Sequence, residues 1–183
     1  MASAPRVLTL PGWQGSGALH WQTRWEVLHG FERVEQDDWQ TPKRGDWMAR
    51  LEEVLMAHDR PAFLVAHSLG CHLVAAWAAH SRHCSRVLGA FLVAPPDCER
   101  EDFPPVLSSW RKPVLARLPF VSQVVFSRDD PYCSAARAMA MAAAWGARLH
   151  DMGSAGHVNA ESGLGDWPDG LAVMRRALGM PAG

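Results

Sequence analysis

One serine stands between an apolar run and a run of helix-forming residues. Residues 64–71 read LVAHSLGC, so Ser68 ends a predicted buried strand and begins a predicted helix. Small residues at positions 66 and 70 would let strand and helix approach closely; Ala66 stands where glycine is the common choice. Such a turn exposes the hydroxyl, and the helix aims its N-terminal amides at any anion formed beside it. The stretch therefore favours a nucleophilic serine, and the alternative is a simple helix N-cap.

A serine nucleophile needs a histidine base and a carboxylate, and the chain offers both after later predicted strands. The stretch VVFSRDDPYCS carries Asp129 and Asp130 in a turn, and HDMGSAGHVNAESG carries His157 in a glycine-flanked loop. His157 would take the Ser68 proton and return it to the leaving group, while a carboxylate fixes its tautomer. Singly, these residues could be a loop histidine and turn aspartates. Their order along the chain, Ser then Asp then His, favours a catalytic set.

Three aspartates are candidates for the acid. Asp130 is the first choice, because the residue directly before Pro131 can begin a turn toward the histidine loop. Asp129 is the second choice. Asp97, just after the fourth predicted strand, is the third, since the acid can move by one strand in folds of this type.

Backbone amides near the serine could stabilise an oxyanion. One is the Leu69 N–H, directly after the nucleophile, and the other should come from the loop after the first strand. That loop reads LPGWQGSG, and the Trp13 N–H is the best candidate in it; the alternative is a flexible loop with a packed tryptophan. Three further residues are predicted to line the substrate pocket, although His67 could instead simply pack at the strand end: Gly12, His67 and Trp167.

Apolar runs alternate with helix-like segments along the chain. The predicted strands lie near residues 6–10, 31–35, 62–66, 87–94, 120–126 and 147–152. The predicted helices lie near residues 20–28, 46–58, 69–80, 135–145 and 164–177. This alternation predicts an α/β fold with a mostly parallel six-stranded sheet, strand order 2-1-3-4-5-6, and helices on both faces. Ligands of such sheets bind beside the point where the winding reverses, here between the first and third strands.

A single domain is predicted over residues 1–183. The chain has 183 residues, 48% of them hydrophobic, which suffices for one α/β core and falls short of two. Residues 95–119 contain six prolines, which exclude a long continuous helix there. Residues 97–119 are therefore expected to form either a minimal cap over the site or a long surface connection.

Composition argues against several classes of partner. A formal net charge of −1 provides no field for nucleic acid or for an anionic membrane surface. The chain has neither an apolar run long enough to span a membrane nor a signal-peptide core near residue 1. Its four cysteines lack CxxC spacing, which suits reduced thiols and a cytoplasmic protein. The histidines around the third helix lack metal-ligand spacing, so no metal and no cofactor are expected.

Four stretches resemble the small serine hydrolases grouped with bacterial YdeN and retinoblastoma-binding protein nine: LPGWQGSGALHWQTRWE, HSLGC, SRDDPYCS and GHVNAESGLGDWPDG. The resemblance covers nearly the whole chain. It implies an α/β-hydrolase with a minimal cap and a triad of Ser68, Asp130 and His157, and so favours the second aspartate of the pair. Retinoblastoma association in an animal member rests on LxCxE. Here the stretch around Cys98 reads PPDCERE, with proline for leucine and arginine for glutamate, so that partner is not expected.

Together these features predict a metal-independent serine hydrolase. Its partner would be a small-molecule acyl substrate, a carboxylic ester or alternatively an amide or thioester, cleaved through an acyl-enzyme on Ser68. An alternative of another class is a binding or scaffold protein on the same fold with weak or no turnover. A flavodoxin-like nucleotide binder is a remoter alternative, because PGWQGSG lacks the lysine and the serine or threonine of a P-loop.

Overall fold

The computed structural model describes residues 4–180, so residues 1–3 and 181–183 of the predicted domain lie outside the described residues. The strands are β1 (Arg6–Leu10), β2 (Glu32–Arg33), β3 (Ala62–His67), β4 (Val87–Val93), β5 (Val121–Phe126) and β6 (Arg148–Asp151). The helices are α1 (Trp21–His29), α2 (Arg44–Met56), α3 (Leu69–His80), α4 (Ala135–Trp145) and α5 (Pro168–Leu178). Within residues 4–180, no helix combines the length and the apolar character needed to cross a membrane.

The strands form one parallel sheet with the order β2-β1-β3-β4-β5-β6. The predicted order is therefore confirmed, and every pairing is parallel. At the carboxyl edge, Leu10 of β1 pairs with Ala66 of β3, and His67 of β3 pairs with Val93 of β4. The segments that follow β1, β3 and β4 consequently leave the sheet side by side.

Helices cover both faces of the sheet, as predicted. In β3, Leu64 belongs to the core formed with α2, α3 and α4, whereas its neighbours Phe63 and Val65 belong to the core under α1 and α5. Successive side chains of a strand point to opposite faces, so β3 is buried on both. This double burial explains why the strand reads as a continuous apolar run.

Most boundaries lie within two residues of the prediction, and two elements are clearly shorter than predicted. β2 lies at the sheet edge and has two residues instead of five, because only Glu32 and Arg33 pair with β1. α5 begins at Pro168 instead of residue 164. Gly165 (φ 58°) and Trp167 (φ 42°) adopt the left-handed region, which a right-handed helix does not contain.

The connection from β4 to β5 lacks an α-helix, as its prolines predicted, and contains a short 3₁₀ helix at Pro105–Trp110. Hydrogen bonds fix its conformation. The Arg111 guanidinium donates to three carbonyl oxygens within residues 100–103 at 3.1–3.3 Å. The Trp110 indole N–H donates to the Pro42 carbonyl oxygen at 3.0 Å. The Arg111 bonds hold the connection together, and the Trp110 bond joins it to the loop that precedes α2.

Candidate active site

Ser68 occupies the sharp turn between β3 and α3. Its backbone has φ 55° and ψ −124°, a conformation that residues with a Cβ rarely adopt and that is found mainly at functional sites. The Ser68 N–H donates to the Val93 carbonyl oxygen at 2.9 Å, and its own carbonyl accepts from the Cys71 N–H at 2.9 Å. The side chain makes no capping hydrogen bond to α3. Ser68 therefore stands at the N-terminus of α3, but its hydroxyl does not cap the helix.

Two glycines allow the loop after β1 to pass against this turn. A Cβ at Gly70 would lie 2.3 Å from the Leu10 carbonyl oxygen, so the close approach of β1 to α3 requires glycine there. A Cβ at Gly12 would lie 2.8 Å from the Cβ of Ser68. Gly12 and Gly70 therefore allow close backbone packing at the Ser68 turn.

Ser68, His157 and Asp130 form a continuous hydrogen-bond chain. Ser68 Oγ lies 2.8 Å from His157 Nε2, and His157 Nδ1 lies 3.0 and 3.1 Å from the two carboxylate oxygens of Asp130. The carboxylate can only accept, so Nδ1 carries the ring proton and Nε2 is free to accept the serine proton. The His157 and Asp130 side chains are only 10% and 3% exposed. Such an arrangement can supply a nucleophile, a base and an orienting acid.

The other two candidate acids have different partners. Asp97 lies 3.2 Å from the Arg137 guanidinium and accepts the Glu99 N–H at 3.0 Å. Asp129 accepts from the Ser127 hydroxyl at 2.7 Å and from the Gly156 N–H at 2.9 Å. Neither carboxylate contacts the imidazole among the described residues.

Asp129 anchors the loop that carries His157. Its hydrogen bonds from Ser127 and from Gly156 hold the pKa of the Asp129 carboxyl below its usual range. The Ser127 hydroxyl oxygen also accepts the Ala155 N–H at 2.8 Å. Sequence reasoning missed this role, although the pair of adjacent aspartates was a signal that both could face the same loop.

Two backbone amides near Ser68 are the predicted oxyanion donors. Leu69 is the first residue of α3, so its N–H has no partner within the helix. A Cβ at Gly12 would lie 3.2 Å from this nitrogen, which places the Gly12–Trp13 backbone next to it. Within the described part of the chain, the Trp13 N–H has no hydrogen-bond acceptor either. Both predicted donors therefore lie near Ser68 without an acceptor among residues 4–180, and their part in holding an oxyanion stays a prediction.

A cavity of about 550 Å³ opens at Ser68. The connection from β4 to β5 supplies an apolar wall with Pro96, Phe103, Pro104 and Leu107. Phe103 and Leu107 are each 4% exposed and pack into the core beneath α3. Residues of the 97–119 segment therefore line the cavity.

Two of the three predicted pocket residues line this cavity. Gly12 and His67 do, and Trp167 does not. Trp167 is instead 6% exposed and stacks on Trp25, with ring centroids 5.6 Å apart. Its left-handed backbone folds the ring inward over Gly170, where a Cβ would lie 2.2 Å from the indole. The prediction for Trp167 is corrected: it is a core residue.

A cluster of aromatic side chains surrounds the His157 imidazole. The His67 ring lies 4.9 Å from it and the Tyr132 ring 4.7 Å, measured between centroids. The His20 ring lies 4.6 Å from that of His67. Sequence reasoning missed His20 and Tyr132, although both stand inside motifs it had noted, HWQ and DDPYC.

Burial keeps the imidazole rings of His67 and His20 uncharged. Burial, assisted by the neighbouring His20 and His157, lowers the pKa of His67 well below its ordinary value. Burial and the nearby Arg33 charge lower the pKa of His20 to about 4. At neutral pH both rings are therefore uncharged and each carries one N–H.

Other nucleophiles and metal ligands are not arranged for chemistry. All four cysteines are free, and burial raises the pKa of Cys98 and of Cys133 to about 12. Thiols protonated at neutral pH are poor nucleophiles. Among residues 4–180, no group of three or more histidine, cysteine, aspartate or glutamate side chains could hold a metal ion.

Comparisons with known proteins identify the family. A family model described as serine hydrolase matches residues 7–176. The chain belongs to the serine hydrolase family. This serine hydrolase is 27% identical to a protein from Pectobacterium atrosepticum described as a YdeN-like hydrolase, with a TM-score of 0.83 and coverage of 96% of this chain and 92% of that one. A search of curated proteins found no match.

Two further solved structures share the fold of this serine hydrolase. The YdeN gene product of Bacillus subtilis is 17% identical, with a TM-score of 0.76 and coverage of 96% of this chain and 100% of that one. The esterase RhEst1 of Rhodococcus is 14% identical, with a TM-score of 0.69 and coverage of 98% and 92%. The predicted resemblance to YdeN-like α/β-hydrolases is confirmed.

Proposed function

We propose that this serine hydrolase cleaves small carboxylic esters through an acyl-enzyme on Ser68. The observation that carries the proposal is the hydrogen-bond chain from Ser68 through His157 to Asp130, with contacts of 2.8 and 3.0 Å. It begins at a strained turn that faces a cavity. The same three roles on unrelated folds perform acyl transfer.

Acylation follows from the positions of the groups. Ser68 Oγ attacks the ester carbonyl carbon, and its proton passes to His157 Nε2. The negative charge that forms on the carbonyl oxygen is held by the Leu69 and Trp13 N–H groups. The Asp130 carboxylate stabilises the imidazolium. His157 then protonates the leaving alkoxide as the carbon–oxygen bond breaks, which leaves the acyl group on Ser68.

Deacylation uses the same groups in reverse. A water molecule gives a proton to His157 Nε2 and attacks the acyl carbon. The oxyanion is held at the same two amides, and the bond to Ser68 Oγ then breaks. Ser68 recovers its proton from His157, and the carboxylic acid departs. No step requires a metal ion or a cofactor.

The cavity supports a small substrate with an apolar acyl group. Its volume of about 550 Å³ falls within the range of ordinary small-molecule sites. Phe103 and Leu107 offer apolar surface to the acyl chain, whereas Gln14, Asn159 and Glu161 line the cavity with polar groups. We expect the acyl chain to contact the apolar wall and the alcohol part to face the polar residues.

The test is covalent labelling with a fluorophosphonate probe at neutral pH, followed by intact-mass analysis. The wild type, Ser68→Ala and Ser122→Ala are compared after circular dichroism has shown that each is folded. Ser122 is the matched control, because it is a buried serine of β5 that does not line the cavity at Ser68, and its hydroxyl donates to the Phe120 carbonyl oxygen just before the strand. We expect one adduct on the wild type and on Ser122→Ala, and none on Ser68→Ala.

Unlabelled wild type from the same preparation is then assayed with esters graded by acyl length and with matched amides and thioesters. Faster hydrolysis of an ester than of its amide and thioester counterparts supports the proposed substrate class. Absence of an adduct on folded wild type contradicts the proposal and favours a binding protein on a hydrolase fold.

A further inference from the structure

The residue after His157 has a strained backbone. Val158 adopts φ 51°, in the left-handed region. A β-branched side chain in that region is a steric outlier, and such outliers persist only where the surrounding structure imposes them. Val158 is also fully buried. The structure must therefore contain contacts that hold the His157–Val158 backbone in this conformation.

Two buried ring N–H groups form hydrogen bonds to the carbonyl oxygens of His157 and Val158. His67 Nε2 lies 2.9 Å from the His157 carbonyl oxygen. The Trp21 indole N–H donates to the Val158 carbonyl oxygen at 2.8 Å. A carbonyl oxygen can only accept, so His67 Nε2 carries its ring proton and is the donor. His67 and Trp21 are 5% and 1% exposed, so little water could replace them.

His67 connects the two catalytic elements directly. It is the last residue of β3, adjacent in sequence to Ser68, and its ring reaches the backbone of the base. Its position is supported from behind by His20, whose ring packs edge-on against it at 4.6 Å. A displacement of the His67 ring would therefore release the His157 carbonyl without moving the Ser68 turn.

We propose that His67 is a positioning residue. Its Nε2–H bond to the His157 carbonyl holds the strained His157–Val158 backbone in the conformation in which the imidazole Nε2 faces Ser68 Oγ. The inference rests on the proposed function, because it assigns His67 a part in the same reaction. His67 acts through His157 and takes no proton during turnover.

The variants separate the hydrogen bond from the packing of the ring. His67→Leu removes the donor and keeps an apolar side chain, whereas His67→Gln keeps an amide N–H that can reach the same carbonyl oxygen. His72→Leu is the matched control. His72 is also buried, and its Nε2 lies 2.7 Å from the Pro96 carbonyl oxygen, but it makes no contact with the His157 loop.

Steady-state kinetics with the best ester give the first readout. For His67→Leu we expect kcat to fall about 10- to 100-fold, the effect of a small misplacement of a catalytic group, with little change in KM. We expect His67→Gln to restore most of kcat and His72→Leu to keep kcat near the wild-type value. A loss of kcat that is equal in His67→Gln and His67→Leu, or equal in His72→Leu, overturns the proposal.

Nitrogen-15 NMR of the imidazole rings gives a second readout that needs no turnover. In the wild type we expect one set of His157 signals, with a protonated Nδ1 and an unprotonated Nε2. In His67→Leu we expect broadened or doubled His157 signals and faster exchange of the Nδ1 proton with water. Unchanged His157 signals overturn the role of His67. If the wild type neither takes the probe nor hydrolyses an ester, the proposed function fails, and these spectra still decide the positioning role.

Discussion

The Gly12 backbone lies so close to Ser68 that a Cβ added at Gly12 would be 2.8 Å from the Cβ of Ser68. This contact brings the loop after β1 to the turn after β3, at the reversal point of the sheet. The same hypothetical Cβ would lie 3.2 Å from the Leu69 nitrogen, so the Gly12–Trp13 backbone runs next to that amide. The geometry of the proposed oxyanion site therefore depends on the absence of one side chain.

Gly12→Ala is expected to damage catalysis without unfolding the protein. The new methyl group must push the Gly12–Trp13 backbone away from Ser68, which misplaces one oxyanion donor. Loss of one such donor lowers kcat by about 100- to 1,000-fold in comparable enzymes. Ester hydrolysis and thermal unfolding are measured together. A variant with wild-type kcat would exclude Trp13 as a donor.

Gly45→Ala is the control for this substitution. Gly45 lies in the first turn of α2, and a Cβ there would meet no atom within 4 Å. Alanine is favoured over glycine in a helix by about 0.5–1 kcal/mol. We expect a small gain in the free energy of unfolding and an unchanged kcat.

Asp130→Asn is expected to lower kcat by about four orders of magnitude, the loss known for the orienting acid of a serine protease. The amide would no longer hold the Nδ1–H tautomer of His157. Asp129→Asn should lower kcat much less, because Asp129 anchors the loop at Gly156 and does not contact the ring. Asp97→Asn should have the smallest effect. The measurement is the ranking of the three kcat values. A larger loss in Asp129→Asn or Asp97→Asn than in Asp130→Asn would assign the role of the acid to that other aspartate.

Local sequence signals predicted several elements to the residue. β1, α3 and α4 begin and end where expected, since Pro11 ends the first, Ser68 begins the second, and Gly146 ends the third in the left-handed conformation. The order of Ser68, Asp130 and His157 along the chain was also visible, because each follows a separate strand at the same edge. The residue types around the Ser68 turn and the order of the strands were therefore enough to predict the hydrogen-bond chain.

Contacts between residues far apart in the sequence could not be predicted from the sequence. The bond from His67 to the His157 carbonyl joins positions 90 apart, and only the packing of α1 and the His157 loop on β3 creates it. Trp167 was misplaced for the same reason. Its left-handed backbone turns the ring into the core, and no local pattern of the GLGDWPDG stretch indicates that φ. Loop conformation, in contrast to strand order, depends on tertiary contacts.

Phe103→Leu is expected to shift selectivity toward longer acyl chains. Phe103 is buried and lines the apolar wall of the cavity, so a smaller side chain lengthens the space available to the substrate. A change of one or two methylene groups in such a pocket alters kcat/KM about 10- to 200-fold. The measurement is kcat/KM for a series of esters that differ only in acyl length. An unchanged profile would show that the acyl chain lies elsewhere.

The free energy of unfolding should depend on pH through the protonation of the buried His72. Burial lowers the pKa of His72 to about 4 in the folded protein, against 6.5 for an unperturbed histidine. Between these values the unfolded chain binds a proton that the folded chain does not. The free energy of unfolding therefore falls as the pH falls from 6.5 toward 4, and His72 accounts for about 2 kcal/mol of that fall at pH 5.

His72→Gln removes this titration and keeps a donor for the Pro96 carbonyl oxygen. Urea unfolding at pH 7.5 and at pH 5.0 gives the fall in the free energy of unfolding for the wild type and for the variant. We expect the fall to be smaller in His72→Gln by about 2 kcal/mol, because the proton taken up at His72 on unfolding is absent. His20, whose pKa is also lowered to about 4, contributes equally to both proteins and cancels in the comparison. Equal falls in the two proteins would mean that His72 is protonated in the folded state, and that its bond to Pro96 does not depend on a neutral ring.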